Sequence, residues 1–159
     1  MNRYKIIKKS KLKSLGKALR TKKKRIVFTN GTFDLLHLGH VTYLEKAKCY
    51  GDILIVGVNS DASVRSYKSP GRPLNPEKDR LDVLAALSCV DYVTLFSDPT
   101  PICLIQDLRP HVLVKGADWK KSQIAGAKEV ESWRGQVKRI PLVKGHSTTQ
   151  IIKKIKHLS

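Results

Sequence analysis

One stretch constrains this chain more than any other: Thr29-Asn30-Gly31-Thr32-Phe33-Asp34-Leu35-Leu36-His37-Leu38-Gly39-His40. It follows Arg25-Ile26-Val27-Phe28, an apolar run that reads as a buried strand. It precedes Val41 to Tyr50, whose apolar positions near i, i+3 and i+6 predict a helix. The stretch is therefore a strand-to-helix connection that carries two glycines and two histidines. Such a connection sets backbone N–H groups and a helix N-terminus at the carboxyl end of a strand, where anions bind. Two imidazoles three positions apart face one ligand if the first helical turn begins there. Place and residue types together point to polyphosphate.

The rest of the chain repeats the alternation of strand and helix. Asp52 to Asn59 is a second strand, apolar almost throughout, as suits a parallel strand covered on both faces. Ser60 to Arg65 predicts a helical turn, and Lys68 to Pro76 a basic loop by its Pro and Gly content. Asn75 is placed to cap a helix with Pro76 at its first position, running on to Ser88-Cys89. Tyr92 to Phe96 is a third strand, Pro101 to Leu108 a short helix, and His111 to Gly116 a fourth strand. Ile124 to Trp133 reads as helix, Val137 to Val143 as a weaker fifth strand, and Thr149 to Leu158 as a last helix begun by Ser147 or Thr148.

Short connections and right-handed crossovers make this an α/β fold, a Rossmann-like doubly wound parallel sheet. Such sheets bind ligands beyond the carboxyl ends of their strands. The opening stretch, Lys115-Gly116 and Val143 to Thr149 are therefore expected to meet on one edge. Residues 1–24 are basic and carry no acid, with Leu12, Leu15 and Leu19 at helical spacing. They predict a short helix packed on the domain formed by residues 25–159.

A chain of 159 residues suggests one core. No apolar run approaches the ~20 residues needed to cross a bilayer, and the N-terminus lacks the apolar core of a signal peptide. Cys49, Cys89 and Cys103 have no metal spacing, which fits reduced thiols. A cytoplasmic location is the expectation. The net charge is +18, which confers nonspecific affinity for polyanions: nucleic acid, nucleoside triphosphates or sugar phosphates. A basic nucleic-acid-binding module stays open as an alternative, without an RNA-recognition aromatic motif, zinc finger or helix-turn-helix pattern to support it.

The opening stretch also resembles the signature of the nucleotidyltransferase superfamily, an aromatic-Asp segment followed by H-x-G-H. Here these are Gly31-Thr32-Phe33-Asp34 and His37-Leu38-Gly39-His40. Nearly the whole chain is similar to the adenylyltransferase domain of the bifunctional heptose kinase/adenylyltransferase family of lipopolysaccharide synthesis. Gly71-Arg72-Pro73-Leu74-Asn75, Asp79-Arg80, Val112-Leu113-Val114-Lys115-Gly116 and Gly145-His146-Ser147-Thr148-Thr149 carry that likeness. Three positions depart from it. Thr32 stands where the family usually has Cys, as in the cytidylyltransferases for glycerol phosphate and choline phosphate. Ala117 and Trp119 stand in its Lys-Gly-Gly-Asp-Tyr segment.

The resemblance implies transfer of AMP from ATP to a sugar 1-phosphate, with CTP and an alcohol phosphate as the alternative pair. It implies His37, His40 and Lys115 as catalytic groups. Asn30, Gly31, Thr32, Phe33, Gly39, His40, Arg80, Ser147, Thr148 and Thr149 are then the candidate nucleotide ligands. Asp34, Lys115 and Asp118 are the candidates for the acceptor. On composition alone the Ser-Thr-Thr run serves equally as a helix cap, and Arg80 equally as a solvated helix residue. A homodimer is compatible with the resemblance. No serine or cysteine nucleophile stands beside a base, which suits direct attack by a substrate phosphate. Mg²⁺ is expected to arrive with the nucleotide rather than on a protein metal site.

Overall fold

The computed structural model describes residues 2–158. Five parallel strands form one sheet: β1 (Ile26–Gly31), β2 (Ile53–Asn59), β3 (Tyr92–Phe96), β4 (Val112–Gly116) and β5 (Gln136–Ile140), in the order β3-β2-β1-β4-β5. The helices are α1 (Leu12–Thr21), α2 (Leu38–Lys48), α3 (Asp61–Tyr67), α4 (Glu77–Ala86), α5 (Ile102–Leu108), α6 (Ala127–Ser132) and α7 (Thr148–Lys156). This is the α/β, Rossmann-like architecture that the alternation predicts.

Strand periodicity explains the two cores. Val27, Leu54, Val56, Val58, Val112 and Val114 point to one face and pack with α2 and α4 through Leu44, Ala47, Leu81 and Leu84. Ile26, Phe28, Ile55 and Leu113 point to the other and meet α1, α5 and α6 through Leu12, Leu104, Leu108 and Val130. Both faces are dry, so the central strands are apolar at nearly every position. The chain runs outward from β1 to β3, then crosses back to lay β4 on the other side of β1. A crevice opens where the order reverses, beyond the carboxyl ends of β1 and β4.

Several boundaries differ from the sequence reading. β1 extends to Gly31, and α2 begins at Leu38 rather than Val41, so His37 is its N-cap residue and His40 lies in its first turn. Pro76, not Asn75, is the N-cap residue of α4; the Asn75 amide donates to the Asp34 carbonyl instead. β5 stops at Ile140 because Pro141 has no N–H to extend the ladder. α6 is shorter than expected, since Gly126 precedes it at φ 87° and a 3-10 turn occupies Lys121–Gln123.

The N-terminal segment packs on the sheet domain at two places. Ile6 bridges the edge strand at Val93, and the Lys5 ammonium donates to the Leu87 and Val90 carbonyls. α1 then lies along α5. Gly16 permits this approach, because a β-carbon there would collide with the Leu108 carbonyl. Arg20 donates to the Leu108 and Arg109 carbonyls, setting a cation at the negative end of α5. Gly16→Ala is expected to destabilise the fold by about 1–3 kcal/mol through overpacking. Chemical denaturation measures it, and Ser14→Ala on the exposed side of the same helix is the control.

Candidate active site

The site is built from the exits of β1 and β4. Phe33 has a left-handed backbone, φ 49°, which folds its ring back over Gly31. A β-carbon at Gly31 would stand 3.0 Å from that ring, so any larger residue would press on it. The Phe33 ring in turn supports His40, with centroids 5.2 Å apart. His37 and His40 stack at 3.8 Å between ring centroids. The two imidazoles thus stand together at the start of α2, His37 as its N-cap residue and His40 in its first turn. Gly39 lets the chain after β5 come close: a β-carbon there would lie 3.1 Å from the His146 carbonyl.

Burial holds both imidazoles in the neutral form. His40 is lowered to about 4, first by burial and then by the neighbouring His37, with a backbone hydrogen bond at Leu35 opposing. His37 is lowered by burial and by His146. Each ring has a buried Nδ1 without a hydrogen-bond partner in the structure, as has Nε of Arg72. Buried polar atoms left unpaired cost about 1–3 kcal/mol each. Their concentration at one sheet edge marks a place prepared for a polar ligand.

A polar cleft of about 310 Å³ lies among them, lined by Thr32, Phe33, Asp34, His40, Lys68, Ser69, Arg72, Thr148 and Thr149. Ser147 spends its hydroxyl as the N-cap of α7, accepting from Gln150 N at 3.2 Å, while Thr148 and Thr149 face the cleft. Lys68 and Arg72 are additions that the sequence reading missed. Both lie in the Pro- and Gly-rich loop after α3, and that loop's basic character was the available signal.

Two predicted ligands have other work. Arg80 is buried, at 2% exposure. Its guanidinium donates to the carbonyls of Thr32, Asn59 and Asn75 and to Asp61, at 2.6–3.0 Å. It braces the loops and does not line the polar cleft. Asp34 accepts from the Leu74 and Asn75 amides and pairs with Arg72 at 2.6 Å. Its carboxylate thus fastens the loop that brings Lys68 and Arg72 to the histidines, which leaves it little capacity for a substrate hydroxyl.

Lys115 ends β4 as expected. Its ammonium donates to the Asn30 carbonyl at 3.1 Å and to Asn30 Oδ1 at 3.0 Å. Burial pulls it down to about 8, against the pull of Asp118. Lys115, Asn30, Gly31 and Thr32 line a second cleft of about 670 Å³, walled also by Asn59, Ser63, Tyr67, Lys68, Pro99 to Pro101 and Trp119. The two clefts share Thr32 and Lys68. Asp118 does not line the larger one. It is exposed and folds back over Gly116, where a β-carbon would collide with its carboxylate. The carboxylate still lies close enough to act on Lys115, which lines that cleft.

Among the described residues no group of three His, Cys, Asp or Glu is arranged to hold a metal ion. The polar cleft offers cations and hydroxyls, and its one carboxylate is taken by Arg72. This donor set fits Mg²⁺ carried in on a triphosphate, bound by phosphate oxygens and water, with the Thr148 and Thr149 hydroxyls as the protein oxygens at hand. No helix among the described residues is long and apolar enough to cross a membrane.

A parallel sheet with stacked imidazoles and a cationic cleft at its switch point defines a nucleotide-binding α/β protein. The chain belongs to the cytidylyltransferase-like family, whose model matches residues 28–156. It is 53% identical over 145 residues to the bifunctional protein HldE of Geotalea uraniireducens, covering 91% of this chain and 30% of that protein. To the HldE of Syntrophotalea carbinolica it is 54% identical over 136 residues, covering 86% and 28%. The chain thus spans less than a third of the length of these relatives. Among solved structures it is similar to the lipopolysaccharide core biosynthesis protein of Thermoplasma volcanium, with TM-score 0.62, 28% identity, and 77% and 99% of the two chains covered. Pantoate-beta-alanine ligase of Francisella tularensis shares the fold at TM-score 0.60 and 18% identity, with 95% of this chain and 76% of that chain covered.

The lowered His40 has a consequence for stability. Between pH 6.5 and 4 the unfolded chain takes up a proton that folded His40 refuses. Stability should therefore fall as pH drops through that window. Proton NMR of the imidazole should show His40 titrating near 4, and His40→Asn should flatten the melting temperature against pH between 6.5 and 4.

Proposed function

We propose that this chain transfers AMP from ATP to D-glycero-β-D-manno-heptose 1-phosphate, giving ADP-heptose and pyrophosphate for lipopolysaccharide core synthesis. The observation that carries the reading is the junction of the two clefts at Thr32 and Lys68. The smaller, cationic cleft suits a triphosphate. The larger suits a phosphorylated acceptor held by Lys115. Transfer then occurs where they meet. The likeness to the HldE proteins and to the lipopolysaccharide core biosynthesis protein supports the choice of substrates. The reaction implied is cytoplasmic.

The chemistry needs no protein base, because the attacking phosphate oxygen is already ionised. The acceptor oxygen forms the new bond to the α-phosphorus as the bond to the β-phosphate oxygen breaks, and pyrophosphate leaves with the electron pair. Lys115 binds and aligns the acceptor phosphate. The neutral imidazoles of His37 and His40 donate N–H bonds to the oxygens on which charge develops. Lys68, Arg72, Thr148 and Thr149 retain the departing pyrophosphate. Mg²⁺ bound to the triphosphate would offset its negative charge.

Pyrophosphate release should be fastest with ATP and heptose 1-phosphate. Turnover confined to CTP and glycerol 3-phosphate would overturn the substrate assignment in favour of a cytidylyltransferase. His37→Ala and His40→Ala should each lower kcat by about 10²-fold or more, with the circular dichroism spectrum retained. Near wild-type turnover in both would refute their role.

Lys115 yields a pH profile. Its ammonium loses charge as pH rises through about 8, so kcat/KM for the acceptor should fall above that value. Lys115→Ala should raise the acceptor KM, lower kcat and remove that inflection. An inflection that persists in the variant would assign it to another group.

A further inference from the structure

The larger cleft has a feature that phosphate chemistry does not require. Two aromatic side chains wall it, Tyr67 at the end of α3 and Trp119 after β4, and they remain 53% and 46% exposed. Leaving such surface in water forgoes the gain of burying it. Each ring is paired with a lysine that lines the same cleft: the Lys68 ammonium stands 5.9 Å from the Tyr67 centroid and that of Lys115 5.5 Å from the Trp119 centroid. Tyr67 is also fixed in direction, because its hydroxyl shares a 2.7 Å hydrogen bond with the Thr32 hydroxyl at the junction of the clefts. The Trp119 segment is tied down by its own amide to the Gly116 carbonyl and by Arg139 to the Trp119 carbonyl. Tyr67 is thus an oriented ring and Trp119 stands on a tethered backbone, each with a lysine ammonium over it.

We propose that Tyr67 and Trp119 form an aromatic clamp that selects acceptors whose phosphate is attached directly to a sugar ring. This rests on the reading of the larger cleft as the acceptor site and deepens it. A pyranose presents C–H groups on its ring faces and hydroxyls at its edge. Its faces pack on aromatic surfaces, while the hydroxyls stay available to water and to polar groups such as Asn59 and Ser63. A lysine beside each ring demands a ligand whose anionic group adjoins its apolar face. A sugar 1-phosphate has that arrangement. Glycerol 3-phosphate offers the phosphate without the ring, so it can use the lysines and not the clamp. Selection here is for ring against chain, a difference in apolar contact that complements the phosphate recognition common to both.

Calorimetric titration of the intact chain with D-mannose 1-phosphate and with glycerol 3-phosphate tests this. Trp119→Ala and Tyr67→Leu should each weaken mannose 1-phosphate by about tenfold, the scale of one lost aromatic contact. Binding of glycerol 3-phosphate and ATP should stay at the wild-type level, which also shows that the variants fold. Trp119→Tyr and Tyr67→Phe keep the rings and should restore most of the sugar affinity. Equal losses for both phosphates, or no loss for mannose 1-phosphate, would overturn the clamp. If such variants release pyrophosphate from ATP with an unchanged KM for heptose 1-phosphate, the clamp falls and the proposed reaction stands. A wild-type chain that binds neither phosphate would overturn the acceptor cleft and the clamp together.

Discussion

The carboxyl edge of this sheet is held by one buried guanidinium. Arg80 donates to carbonyls that follow β1, β2 and α3, and pairs with Asp61 at the start of α3. A buried charge is tolerated only when its hydrogen bonds are supplied. The three loops supply them, and their own buried carbonyls are satisfied in return. Removing such a group leaves acceptors stranded and typically costs several kcal/mol. Asp34 adds a second clip between the first loop and the third. The loops are thereby one unit, and Thr32, Lys68 and Arg72 keep fixed positions relative to the imidazoles.

On that frame the site divides its electrostatics. The outer positions are cationic, with Lys68, Arg72 and Lys115 around the clefts. The inner pair, His37 and His40, is kept neutral by burial, helped at His40 by His37 and at His37 by His146. Two charged imidazoles at that separation would repel each other in a partly dry setting. The surface charge of +18 gathers anions in general. The inner groups differ from that surface in being neutral, buried and unpaired at Nδ1.

Much of this was legible from the sequence, for identifiable reasons. The apolar runs displayed β1 to β4, because buried parallel strands leave a continuous hydrophobic trace, while the exposed edge strand β5, Gln136–Ile140, left a weaker one. The Thr29–His40 stretch was readable because its chemistry is local: ligands, turn and helix start lie within a few residues. The start of α2 was hidden since its N-cap residue, His37, has no capping hydroxyl and Gly39 has poor helix propensity. Arg80 and Asp34 looked like ligands because sequence displays charge and hides burial. Their partners are distant along the chain: Thr32 and Asn59 for one, Leu74 and Asn75 for the other. Lys68 and Arg72 escaped notice for the converse reason, as they lie in a loop whose composition reads as solvent-facing while Asp34 draws it inward. Asp118 lies in the expected loop, with its exposed carboxylate folded back over Gly116. Its orientation follows from a close approach to Gly116 that no spacing reveals.

The environment of Lys115 reaches beyond binding. An ammonium ion is inert toward electrophiles, while the free amine is a nucleophile. In a chain with 31 lysines and arginines, a lysine drawn down to about 8 carries a substantial free-amine fraction in mildly alkaline solution. It is also held in one orientation by Asn30. Acylating reagents and carbonyl compounds small enough to enter the cleft will therefore meet an activated amine there. The burial that lowers this lysine also gives the protein a point of selective covalent reactivity.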